Sequence, residues 1–164
     1  MSEPERGKRT VAYLIDRGRL ESITIEDTAG TAKILMERAT RRLEATAMAA
    51  LSGGDVAGAY VAAYDAYRMA AEALLVWQGL RATGGDGSHM TVEDAVSAQF
   101  GADIPAFLKP TFERFRRTRH SAQYFDPDAA PITAADATWA IEKASGALAG
   151  VRRLLTPPPA ERAD

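Results

Sequence analysis

Apolar residues recur at three- and four-residue steps along most of this chain, the pattern of helices that bury one face and expose the other. Between Ile23 and Leu51, the residues Met36, Ala39, Leu43, Ala47 and Leu51 fall on one side, while Glu37, Arg38, Arg41, Arg42 and Glu44 take other angles. This predicts an amphipathic helix. Arg38, Arg41 and Arg42 could form a phosphate patch, but the glutamates among them favour a solvated face. Ser52-Gly53-Gly54-Asp55 ends that helix and caps the next, and so short a loop predicts antiparallel neighbours. From Val56 to Leu80 the chain is largely Ala, Val, Leu, Tyr and Met, as expected of a central helix. Its charges, Asp65, Arg68 and Glu72, form one stripe in which Arg68 can meet both acids. Tyr60, Tyr64 and Tyr67 share a face or lie near it and are expected in the core.

The glycine-containing loop Arg81 to Met90 follows. It lacks the lysine-serine ending of a phosphate-binding P-loop and does not follow a strand. It holds His89, read either as an exposed loop residue, the reading favoured, or as a second catalytic group brought in by folding or dimerisation. Thr91-Val92-Glu93-Asp94 fits a capping box that starts a short helix to about Phe100. Asp103-Ile104-Pro105 starts another through Leu108, Phe112 and Phe115, which Pro110 is expected to kink. After Tyr124 the chain cannot sustain a helix until Thr133-Ala134-Ala135-Asp136, a further capping box. Ala137, Ile141, Ala144, Leu148, Val151 and Leu155 then give the last helix its apolar face.

No stretch alternates as a strand does, and none repeats. The expected architecture is all-α, an up-and-down helical bundle of about five helices. Residues 1–24 form an N-terminal arm whose Val11–Ile15 run docks as a short helix. Residues 25–155 form the bundle, and 156–164, with three consecutive prolines, a disordered tail.

Composition narrows the function. The chain of 164 residues, 46% hydrophobic, suffices for one sizeable core. A net charge of -2 argues against a general polyanion binder but permits a local basic patch. Zero cysteines exclude disulfides, thiolate zinc sites and cysteine nucleophiles. The charged amino end lacks the apolar core of a secretory signal, and no apolar run approaches the roughly 20 residues that span a bilayer. A cytoplasmic protein without a membrane partner is expected, and no motif calls for a metal or cofactor.

The chemistry concentrates in Arg114-Phe115-Arg116-Arg117-Thr118-Arg119-His120-Ser121-Ala122-Gln123-Tyr124, with four arginines and one of the two histidines between 114 and 120. On a helix Arg116 and His120 align, Arg117 and Tyr124 flank them, Arg119 lies at the edge and Arg114 sits far round. An imidazole among guanidiniums suits RNA: histidine can move a proton at a 2′-hydroxyl or leaving oxygen, and arginine can stabilise charge on phosphorus. The same set can bind a nucleotide without cutting it. The alternative is a solvated helix face paired with Glu113 and Asp126.

This segment, together with Tyr64-Asp65-Ala66-Tyr67-Arg68-Met69-Ala70-Ala71-Glu72-Ala73-Leu74-Leu75 and the loop from Gly84 to His89, resembles the HEPN domain family, closest to its small stand-alone actinobacterial-type members. The resemblance covers roughly residues 25 to 155. It implies a dimerising helical bundle, often a metal-independent ribonuclease of toxin-antitoxin or antiviral systems. The family motif is an arginine, a polar residue, three further residues and a histidine. Arg119 matches the arginine and His120 the polar residue, but Tyr124 stands where the histidine belongs, as in members that bind nucleotides or partners without cleaving. A looser register pairs Arg114 with His120. In some family pairs a tyrosine after the motif is adenylylated by a partner nucleotidyltransferase antitoxin, which makes Tyr124 a candidate for modification.

Three functions are therefore expected in order. The first is an RNA- or nucleotide-binding homodimer, non-catalytic or weakly catalytic, gripping phosphate through Arg114, Arg116, Arg117 and Tyr124. The second is an active metal-independent endoribonuclease with Arg119 and His120 as catalytic candidates. The third is a helical protein-interaction module whose basic stretch holds an acidic partner.

Overall fold

The computed structural model describes residues 4–85, 88–124 and 126–156. Pro157 onward, where most of the expected tail falls, lies outside the described residues, as do Asp86 and Gly87 of the glycine loop and Phe125. The described chain is all-α, with almost no strand.

The sequence from Val56 to Trp77 forms α4, and it is buried on nearly every side, including Tyr60, Ala63, Tyr64, Ala66, Tyr67, Ala70, Ala71 and Leu74. A helix apolar everywhere but its Asp65, Arg68 and Glu72 stripe must be enclosed by others on its remaining sides. α2 (Thr28–Arg41) and α7 (Ala134–Leu155) pack along it, and α5 (Ser88–Phe100) and α6 (Lys109–Gln123) cover the rest. Its alanines let neighbouring backbones approach, and its tyrosines fill the larger gaps. Tyr67 is fully buried, with its ring 4.4 Å from that of Phe115, 4.9 Å from Phe112 and 5.3 Å from Phe107. Its hydroxyl donates to the Ala106 carbonyl at 2.7 Å, so the buried polar tip is satisfied. The tyrosine face is core, as its spacing predicts.

Asp27 caps α2 by accepting from the Gly30 backbone N–H, which sets its start five residues after Ile23. The helix then widens into a π-helical stretch, Arg42–Met48, and resumes as α3 (Ala49–Ser52), so the whole runs as one rod. Asp55 caps α4 through Gly58. The Thr133–Asp136 capping box of α7 is present in both directions.

Three local expectations are corrected. α5 begins at Ser88, not at Thr91; Thr91 is 2% exposed and Glu93 6%, so these two face the interior where a capping box would face solvent. Pro105 opens a separate 3-10 turn, Pro105–Phe107, and Pro110 sits in the first turn of α6, where its missing N–H costs nothing. It starts that helix and does not kink it. A short antiparallel pair also exists, β1 (Leu20–Ser22) with β2 (Leu80–Ala82), matched Leu20 to Ala82. Strands of three residues are too short to show alternation.

That pair stitches the N-terminal arm to the bundle. Before it, α1 (Lys8–Asp16) lays Val11 and Leu14 into the core. Gly7 allows the approach: it has φ +79°, and a Cβ there would meet Gln99 Cγ at 2.7 Å. At the other end Gly150 lets α7 cross the buried Ile104, where a Cβ would stand 2.8 Å from two of its carbons.

Gly150 supplies a stability test. Alanine adds up to about 1 kcal/mol of helix propensity, but overpacking costs about 1–3 kcal/mol. Gly150→Ala is therefore expected to lower the urea midpoint, and to lower it by much less in an Ile104→Ala background, which removes both γ carbons that the new Cβ would meet. An unchanged or raised midpoint for the single variant would show that the contact yields freely.

Candidate functional site

The rotation of α6 is set by Phe112 and Phe115, both buried against the core. Taking Phe115 as zero, Arg119 lies at about 40° and Arg116 at about 100°, on the side turned toward α4 and α5. Arg114 lies about 100° the other way, while His120 and Arg117, at about 140° and 200°, turn outward. The basic segment is thereby divided among three surroundings.

Arg114 turns to α7. Its guanidinium carbon is 3.9 Å from the Trp139 ring, and its Nη2 is 3.4 Å from Asp136 Oδ1. Asp136 is held below the usual carboxylate range, first by the Thr133 backbone N–H and hydroxyl and then by Arg114. Arg116 turns to α5, where its Nη1 meets Glu93 Oε2 at 2.5 Å. Burial pushes the Glu93 carboxyl up, while Arg116 pulls it back. Both arginines are thus committed to carboxylates of neighbouring helices.

Arg119 is different. Its guanidinium carbon sits 5.0 Å from the Tyr64 ring centroid, and its Nε is buried without a hydrogen-bond partner among the described residues. The Tyr64 hydroxyl lies 3.2 Å from His89 Nδ1. Burial raises the Tyr64 pKa despite Arg119 and Arg68, which keeps the phenol protonated. His89 is held below its ordinary value by burial first and by Arg68 and Arg119 next, with Asp65 opposing. Arg68 completes the group; its Nη1 meets Glu72 Oε1 at 2.5 Å, but its Nε too is buried and unpartnered. Asp65, expected beside Arg68, instead takes Arg42 at 2.9 Å. Burial pushes the Glu72 carboxyl up, against the pull of Arg68.

The outer face carries Arg117, His120 and Tyr124, all exposed. α6 ends at Gln123, and Tyr124 is extended, its N–H donating to the His120 carbonyl at 3.1 Å. The His120 and Tyr124 rings remain 5.1 Å apart, and Tyr124 is 58% exposed. The structure therefore brings Arg119 to Tyr64, His89 and Arg68, and keeps His120 with Tyr124 on the adjoining surface. It does not bring Arg114 to either.

His89, expected in the glycine loop, is instead the second residue of α5. The available signal was Tyr64 and Arg68, four apart on the most apolar helix, which any polar residue packed above them would have to satisfy. Two unpaired buried N–H groups lie close to the His89 imidazole and the Tyr64 phenol, a donor-rich cluster whose missing partner a phosphate or carboxylate oxygen could supply. No group of three or more His, Asp or Glu among the described residues is placed to hold a metal ion. No helix among them is long and apolar enough to cross a membrane. Comparison with protein-family models, with curated proteins and with solved structures found no match.

The depressed His89 pKa has a sign. Below about 6.5 the unfolded chain takes up a proton that the folded chain resists, so stability is lost as pH falls through that region and is full above it. Glu72 and Glu93, both raised, give the opposite slope, above about 4.5. Urea unfolding of wild type and His89→Gln between pH 5 and 7.5 separates them. The difference between the two proteins is expected to favour wild type increasingly as pH rises toward 6.5; a flat difference would show that His89 titrates as it does in the unfolded chain.

Proposed function

We propose that this chain is an RNA- or nucleotide-binding helical protein of the HEPN kind, which grips phosphate at the cluster between α4, α5 and α6. The observation that carries the reading is Arg119, laid over Tyr64 beside His89 with a buried donor left unused. Arg68 faces the same imidazole with a second. Guanidinium groups supply directed, charge-assisted hydrogen bonds to phosphate oxygens, and unmade buried donors favour a ligand that makes them. Arg117, His120 and Tyr124 on the adjoining face would carry the strand onward, with Tyr124 as a stacking platform. Homodimerisation and a nucleotidyltransferase partner that modifies the exposed Tyr124 belong to the same proposal, as implied by the family resemblance.

A second reading has its own observation in its favour. His89 adds an imidazole near Arg119, the chain neighbour of His120. Metal-independent RNA cleavage needs one group to take the 2′-hydroxyl proton and another to protonate the leaving 5′-oxygen. His89, held neutral, suits the base, and His120 the acid, with Arg119 stabilising the phosphorane.

Fluorescence anisotropy with labelled single-stranded RNA, with chelator present, tests both. Wild type is expected to bind with an affinity that falls as salt rises. Arg119→Ala and Arg68→Ala are expected to bind about tenfold more weakly, and Arg114→Ala to bind nearly as wild type while losing stability. Absent RNA and nucleotide binding, or binding indifferent to Arg119, would remove the proposal in favour of a protein-interaction module. Cleavage that is lost in both His89→Ala and His120→Ala would promote the second reading over the first.

A further inference from the structure

A separate groove runs between α2, the end of α4 and the last turn of α7, with a volume of about 820 Å³. That volume falls in the range of small-molecule sites, and no residue lining it belongs to the Tyr64–His89 cluster. Met36, Trp77, Leu155 and Ala29 give it apolar walls, while Lys33, Arg41, Arg152, Asp27 and Glu37 supply the charges. Arg152 Nη2 donates to Thr40 Oγ1 at 2.5 Å, and that hydroxyl donates onward to the Met36 carbonyl at 2.8 Å. A neutral hydroxyl thus orients Arg152 without neutralising it. Lys33 and Arg41 have no ion pair among the described residues. Asp27 is occupied as the α2 cap through its Oδ1, 2.7 Å from the Gly30 nitrogen. Three cations against two carboxylates leave one unit of positive charge beside an aromatic and aliphatic wall.

We propose that this groove binds a small amphipathic monoanion, an alkyl or aryl carboxylate whose body lies against Met36, Trp77 and Leu155 and whose head meets Arg152. Buried apolar area supplies affinity, and the directed guanidinium supplies orientation. A dianionic phosphate would overfill the available charge. The π-helical stretch that begins at Arg42, directly after the groove's Arg41, is a distortion frequent beside ligand sites.

Decanoate below its micellar concentration is the probe, with isothermal titration calorimetry of the full chain and the emission of Trp77 in a Trp139→Phe chain as readouts. Saturable one-to-one binding with a change in Trp77 emission is expected. Decanol and the Arg152→Gln chain should each show affinity about tenfold lower. Ala29→Phe, which adds bulk from an exposed helix position, should also weaken binding, and it guards against a fold defect particular to Arg152→Gln. Non-saturable uptake, equal affinity for decanol, tighter binding of decyl phosphate, or indifference to both substitutions would overturn the proposal. Binding seen only in a chain cut after Thr156 would assign the groove to residues 157–164 and overturn it equally.

Discussion

Enclosing α4 is the constraint on which the rest of the structure depends. With Ala62 and Ala66 buried on one side, Tyr67 and Leu74 in the middle and Tyr64 and Leu75 on the other, α4 gives water little more than its Asp65, Arg68 and Glu72 stripe, so four other helices must be placed around it. The alanines fix how near those helices come, and the tyrosines fix where along α4 they seat. Phe112 and Phe115 lock onto Tyr67, and that contact determines the rotation of α6. Every charged residue of α6 then has its direction assigned. The chemistry of the basic segment is a consequence of aromatic packing two or three residues away.

The same packing explains why polar groups sit where an apolar core would be cheaper. Glu93 is inside α5's buried face and needs a partner, which Arg116 supplies from α6. Removing one member of such a pair costs more than the pair contributes, because the survivor stays dehydrated. Arg119 and Arg68 are in a different position, since each leaves a buried Nε unused. A folded chain meets most of its buried hydrogen-bonding capacity, and the exceptions cluster where ligands supply the missing atoms.

Much of the fold was legible because helix periodicity, glycine breaks and Asp or Thr caps act locally. The central helix, its buried tyrosines, the Ser52–Asp55 break and the Thr133 capping box all follow from residues within one or two turns. What failed was long-range. Thr91 and Glu93 carry the letters of a cap, but both are buried, and Glu93 finds its partner in Arg116 on another helix, twenty-three residues further on. Pro110 looked like a kink because the 3-10 turn before it is fixed by Phe107 packing on Tyr67. In the basic segment, angles counted from His120 tell which residues neighbour it but not which way the helix faces. Measured from Phe115, the same arithmetic puts Arg119 nearest the core, Arg116 and Arg114 on its two flanks and Arg117 on the far side. Apolar residues fix a helix's rotation, so candidate site residues are best counted from them.

That change of origin also resolves how four arginines fit an acidic protein. Arg114 and Arg116 are each matched by a carboxylate of another helix, Asp136 and Glu93, so half of the apparent patch is internal pairing. What remains is Arg117 on the surface and Arg119 in the cluster, joined there by Arg68 from α4. Arg68 is shared with Glu72, whose carboxyl burial pushes up against the pull of Arg68. The positive field is therefore small in extent and focused on the Tyr64–His89 pair. A field of that size suits one or two phosphates held in defined geometry better than a long polyanion held by charge density.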